Sequence, residues 1–145
     1  MPSRALGFKS LPWRRKFNKD EIMDSTTNIQ ELKDFIKKFC EERDWDKYHN
    51  AKDLAIGIIT ESSELLEHFR FKSEKEIEDF FNDKIKKELV SEEVSDVLYF
   101  LLRFCQKYDI DLSTSFKKKM EINEKRYPIE KSKGLNKKYT EYQNK

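Results

Sequence analysis

Apolar residues recur along this chain at helical spacing, and the recurrences break at clear capping signals. Ile29, Leu32, Ile36 and Phe39 form one stripe, and Asn28 with Glu31 is placed to start that helix with a capping box. A polar, aromatic stretch from Arg43 to Asn50 follows. Asn50 then caps a second predicted helix reaching about Phe69, with Leu54, Ile58, Leu65 and Phe69 on one face. A short helix is predicted over 75–81. A third long helix is predicted over 85–108 and a fourth over 111–126, stopped by Pro128. The pattern describes an all-α chain of four bundle-length helices, with a connection between the second and third long enough for a crossover.

Composition agrees with that picture. Gly and Pro number three each in 145 residues, so turns are few and helices long. Charged residues make up 40% of the chain and leave a net charge of only +2, so no global field argues for nucleic acid. No apolar run approaches the ~18 residues of a membrane span. Cys40 and Cys105 lie far apart beside apolar residues, which reads as two buried thiols in a reducing, cytoplasmic setting. Two cysteines and two histidines without close spacing exclude a structural zinc site. Residues 1–24 are basic and acid-poor up to Asp20, and read as a disordered leader, with an organellar transit peptide as the alternative. Residues 25–128 read as the folded domain, and 129–145 as a polar, basic tail.

The chemistry begins with acids in unexpected places. Glu61 falls between Ile58 and Leu65 on the apolar stripe of the second helix, and Glu64 follows one turn later. On the third helix, Leu89, Phe100 and Phe104 mark one side of the expected buried face. Val90, Val94, Val97 and Leu101 mark the other, and Glu93 and Asp96 sit within it. Four carboxylates are thus expected to point toward a bundle interior. Either lysines and arginines pair them, or a cation sits among them. Oxygen ligands without Cys or His favour magnesium or manganese. With 28 acids in the chain such spacings also arise by chance, so placement on the stripe carries the weight.

Thr60-Glu61-Ser62-Ser63-Glu64-Leu65-Leu66-Glu67, followed by Glu92-Glu93-Val94-Ser95-Asp96-Val97-Leu98, resembles the E-x-x-E … E-x-x-D signature of the MazG-like nucleotide pyrophosphohydrolases, and most closely their dCTP pyrophosphatase branch. Glu42-Arg43-Asp44-Trp45 with His49, Lys119-Met120-Glu121-Ile122-Asn123 leading to Arg126-Tyr127-Pro128, and Lys138-Tyr139-Thr140 extend the resemblance in order from about residue 28 to 142. The resemblance implies a MazG-type helical bundle working as a homodimer or homotetramer. It implies that Glu61, Glu64, Glu93 and Asp96 are the catalytic magnesium ligands. Trp45, Asp46, Lys47, Tyr48 and His49 would line the nucleotide pocket. Phe71 and Phe100 stand where dCTP-type members carry aromatic residues, and would stack on the base. Lys119, Asn123 and Arg126 would contact phosphates. The implied substrate is a pyrimidine dNTP, cut to monophosphate and pyrophosphate, with no nucleic-acid or membrane partner.

Two departures stand out. Thr60 and Ser63 replace a glycine pair that flanks the first family glutamate. Ile36 replaces a histidine on the base side, which bears on cytosine selectivity and not on the metal chemistry. The competing readings are a related pyrophosphatase acting on dUTP or on NTPs broadly, and a non-catalytic helical interaction module.

Overall fold

The computed structural model describes residues 22–143, so most of the leader, 1–21, lies outside the described residues. Every regular element among them is helical. Helix α1 spans Ile29–Glu41, and the expected capping box is formed: Asn28 Oδ1 accepts from the Glu31 amide, and Glu31 Oε2 accepts from the Asn28 amide, both at 3.0 Å. A single 3-10 turn, Asp46–Tyr48, leads into α2, Ala51–Glu67, which Asn50 caps through the Asp53 amide. Helix α3, Glu74–Asn82, opens on a second capping box between Ser73 and Glu76. Helix α4 spans Lys84–Lys107, and Asp83 Oδ1 accepts from the Ile85 and Lys86 amides at its start. Helix α5, Leu112–Arg126, is capped by Asp111, and two short helices follow, α6 (Ile129–Ser132) and α7 (Thr140–Gln143). Helix ends differ from the sequence expectation by a residue or two, as helix termini do.

The chain divides into two compact units at Gln106/Lys107. In the first, α2 and α4 run antiparallel. Gly57 meets Phe100, while His68, further along α2, meets Glu93, further back along α4. Cys40, Leu54, Leu102 and Arg103 are the most deeply buried side chains, each at most 1% exposed. Cys40 Sγ lies 3.2 Å from the Tyr99 hydroxyl. Burial, then the Cys40 contact, pushes that hydroxyl above its ordinary pKa. Both cysteines are free and buried, as expected. In the second unit the tail closes on the end of α5: Tyr127 packs edge-on against Tyr139 and Tyr142, and the Arg126 guanidinium lies 4.6 Å from the Tyr139 ring centre.

The buried face of α4 corrects the sequence reading. Val94, Leu101 and Leu89 are exposed at 50%, 37% and 44%, whereas Leu102, Arg103 and Cys105 are buried. On α2, Ile56, Ile59 and Leu66 are likewise exposed. The periodicity placed Val90 in the core correctly and missed Leu102 and Cys105. It could not tell a face turned to the unit's own core from one turned outward. No helix among the described residues is long and apolar enough to cross a membrane.

Candidate active site

Glu61 and Glu64 project from successive turns of α2, and Glu93 from α4 opposite them. Each offers one carboxylate oxygen, and the three oxygens lie within 4.8 Å of one another. Asp96, one turn along α4 from Glu93, stands outside that set but close enough for its charge to act on Glu61. Partial burial first, and then the charges of Glu64, Asp96 and Glu93, push the Glu61 carboxyl above its ordinary pKa. The expectation of four acids in a bundle interior needs correcting. Glu61 and Glu93 are half-buried, while Glu64 and Asp96 are exposed. An enclosed position would strip water from four like charges, and an open face avoids most of that cost.

Pairing by lysine or arginine is not how this cluster is balanced. Among the described residues no lysine or arginine reaches these carboxylates; the nearest basic group is the His68 imidazole, with Nε2 3.7 Å from Glu93 Oε1, an ion pair only when the ring is protonated. His68 was not singled out from the sequence, although it lies one turn beyond Glu64 on the same stripe. Its ring packs edge-on against Phe80, 5.9 Å away. The serines interleaved with the acids are occupied by their own helices. Ser62 and Ser63 donate to the Ile58 and Ile59 carbonyls, and Ser95 to that of Ser91.

The expected nucleotide-lining residues fall in three places. Trp45, Asp46, Lys47, Tyr48 and His49 form the loop between α1 and α2. Trp45 packs edge-on against Phe39 and His49, Tyr48 is 62% exposed, and Asp46 and His49 are bound by the Arg103 side chain. Phe100 packs against Gly57: a Cβ there would sit 2.4 Å from Phe100 Cδ1. Phe71 is 91% exposed and has φ +63°, a left-handed conformation that a bulky side chain rarely adopts. It follows the end of α2, whereas Phe100 sits on Gly57, the seventh residue of that helix. About 15 Å of helix separates the two positions. Lys119, Asn123 and Arg126 lie at helical spacing on one face of α5, in the second unit. Arg103 and Gly57 could not be found as site residues from spacing alone.

The model of the MazG-like family matches residues 56–142, a span holding both acid pairs. The chain is 31% identical to dCTP pyrophosphatase 1 of Rattus norvegicus over 113 residues, which is 78% of this chain and 66% of that protein. It is 30% identical over the same shares to dCTP pyrophosphatase 1 of Homo sapiens. The chain thus spans about two thirds of the length of these curated relatives. Among solved structures it resembles a pyrophosphatase from Archaeoglobus fulgidus DSM 4304, with a TM-score of 0.65 and 38% identity, covering 74% of this chain and 99% of that one. With the family model spanning residues 56–142, most of α2 through α7, this chain belongs to the MazG-like family.

Proposed function

We propose that this protein hydrolyses a pyrimidine deoxynucleoside triphosphate, dCTP or a modified dCTP first, to the monophosphate and pyrophosphate, and so serves dNTP-pool housekeeping. The observation that carries the reading is the trio of carboxylate oxygens from Glu61, Glu64 and Glu93 within 4.8 Å, with no lysine or arginine among the described residues to balance them. Hard oxygen donors crowded in this way suit a divalent cation. MazG-like pyrophosphatases generally depend on one, and magnesium is the ion proposed here, with manganese as a substitute. Glu61, Glu64 and Glu93 would hold it, and Asp96 would complete the set. Bound there, magnesium would neutralise the triphosphate and lower the pKa of a water. Water attacks the α-phosphorus, the bond to the bridging oxygen of the β-phosphate breaks, and pyrophosphate leaves. Glu61 is the acid proposed to take the water's proton. Phe100 and the Trp45–His49 loop would hold the nucleoside. Ile36 is buried and offers no polar atom to a base, which supports loose discrimination between bases.

The exposed stripes Ile56/Ile59/Leu66 and Val94/Leu98/Leu101 support a homodimer or homotetramer. The distance between Phe71 and Phe100 supports an active site near that interface, where aromatic residues of two copies can serve one base. A cytoplasmic setting fits the two free thiols. The test is a dNTP and NTP panel, with and without magnesium, scored for monophosphate and pyrophosphate. Pyrimidine dNTPs should react fastest and only with metal. Purine triphosphates turning over as fast as dCTP would sink the substrate reading, metal-independent pyrophosphate release would sink the metal reading, and absent release would sink the hydrolase itself.

A further inference from the structure

Arg103 is the largest fully buried side chain among the described residues, at 1% exposure. A buried guanidinium is costly, and an apolar side chain of similar volume often serves stability as well or better. What it does with its donors is therefore informative. Its Nε–H donates to His49 Nδ1 at 3.0 Å. One terminal nitrogen donates to Asp46 Oδ1, and the other to Gln106 Oε1 on its own helix. Two of the three bonds hold the loop that carries Trp45–His49, and both bridge more than fifty residues of sequence, at separations of 54 and 57. Nδ1 can accept from Arg103 only with its lone pair free, so the neutral His49 ring must carry its proton on Nε2. Trp45, packed edge-on with ring centres 6.2 Å apart, braces the same ring from another side.

We infer that Arg103 is a positioning residue for nucleotide binding: its fork anchors the Asp46–Tyr48 turn and fixes His49 as a hydrogen-bond donor through Nε2–H. The inference rests on the Trp45–His49 loop lining the nucleotide site. The ligand chemistry it implies is an acceptor oxygen, of a pyrimidine carbonyl or a phosphate, meeting His49. Arg103 touches no substrate and acts through the loop. A lysine would not replace it, because an ammonium cannot supply the planar fork.

Two measurements on the full chain test this. The protein has only two histidines, so long-range proton–nitrogen spectra of the wild type, assigned with His49→Gln, read the His49 tautomer directly. Nε2–H is expected, and Nδ1–H overturns the inference whether or not any variant folds. Arg103→Met and Arg103→Lys should each raise KM for dCTP about tenfold, the order of one lost hydrogen bond to a charged group, and leave kcat within about twofold. In a His49→Ala background Arg103→Met should add little, since the two act as one unit. A folded Arg103→Met with unchanged KM, or one whose effect is fully additive with His49→Ala, overturns the positioning role. Base choice between acceptors is read by comparing dCTP with pyrophosphate alone as ligand: a KM effect for dCTP without weaker pyrophosphate binding assigns His49 to the nucleoside, and weaker binding of both assigns it to phosphate. If no triphosphate is hydrolysed, the hydrolase reading falls, and the tautomer still decides the fork.

Discussion

Replacing Gly57 by alanine tests how the proposed base platform is built. Glycine inside a helix costs about 1 kcal/mol relative to alanine, so α2 carries it at a loss that something else offsets. Its neighbour is the Phe100 ring. A Cβ at position 57 would lie 2.4, 2.5 and 2.7 Å from Phe100 Cδ1, Cε1 and Cγ. Ordinary carbon contacts are about 3.5–4 Å, so the ring must retreat by roughly 1 Å. Overpacking of this kind costs about 1–3 kcal/mol. Set against the helix gain of about 1 kcal/mol, the net loss is roughly 0–2 kcal/mol. The ring cannot retreat freely, because Tyr99 packs edge-on against it at 5.1 Å. Stability should therefore fall slightly while KM for dCTP rises several-fold, with kcat little changed, because the platform moves and the carboxylates do not. Urea melts and steady-state kinetics on Gly57→Ala read both quantities. Gly57→Ala with Phe100→Leu should recover stability and not KM. An alanine variant about 1 kcal/mol more stable, with unchanged KM, would refute the reasoning: the ring would then have a second, equally good seat.

Asp96→Asn should abolish pyrophosphate release and melt no lower than wild type in chelator, because it removes one like charge. Magnesium should raise the wild-type melting temperature and leave the variant nearly unchanged; a variant melting much lower in chelator would show that Asp96 is a structural ion-pair partner. Ser73→Ala should cost about 1 kcal/mol at pH 7 through the lost cap of α3. The Ser73 amide first, and then its hydroxyl, hold the Glu76 carboxyl below its ordinary value of 4.5; alanine keeps the amide and loses only the hydroxyl bond, so the gap between wild type and Ser73→Ala should narrow only in part as pH falls through the lowered folded value, and a gap that widens in acid would contradict it. Light scattering at micromolar protein should give a multiple of 17.6 kDa, and Leu98→Lys should reduce it; a wild-type monomer would remove the oligomer reading.

What could be read from the sequence had local causes. Asn28 with Glu31, and Asn50, announced two helix starts because a cap and its partner lie within three residues of each other. Glu61, Glu64, Glu93 and Asp96 stood out because an acid on an apolar stripe is a contradiction visible in one helix at a time. Arg103 could not be read in that way. On α4 it looks like any basic residue near a helix end, and its burial becomes meaningful only once Asp46 and His49 arrive from a distant loop. Gly57 was silent for the same reason, since its purpose is a ring on another helix.

The misread faces of α4 carry a different lesson. Val94 and Leu101 were assigned to the buried side and are exposed, while Leu102 and Arg103 are buried. An apolar stripe made for another copy of the chain follows the same period as one made for the chain's own core. The two become distinguishable only when the fold shows which stripe is already covered. The same ambiguity reaches the candidate site. Three carboxylate oxygens are gathered within a single chain, whereas Phe71, exposed at 91% and held at φ +63°, lies beyond the C-terminal end of α2, about 15 Å of helix from the Gly57–Phe100 contact. A strained, uncovered aromatic is retained at a cost of about 1–3 kcal/mol. That cost is understandable if its use lies outside its own chain. The metal chemistry would then belong to the protomer and base recognition to the assembly, so Phe71→Ala should weaken dCTP binding while leaving magnesium stabilisation of the protein intact.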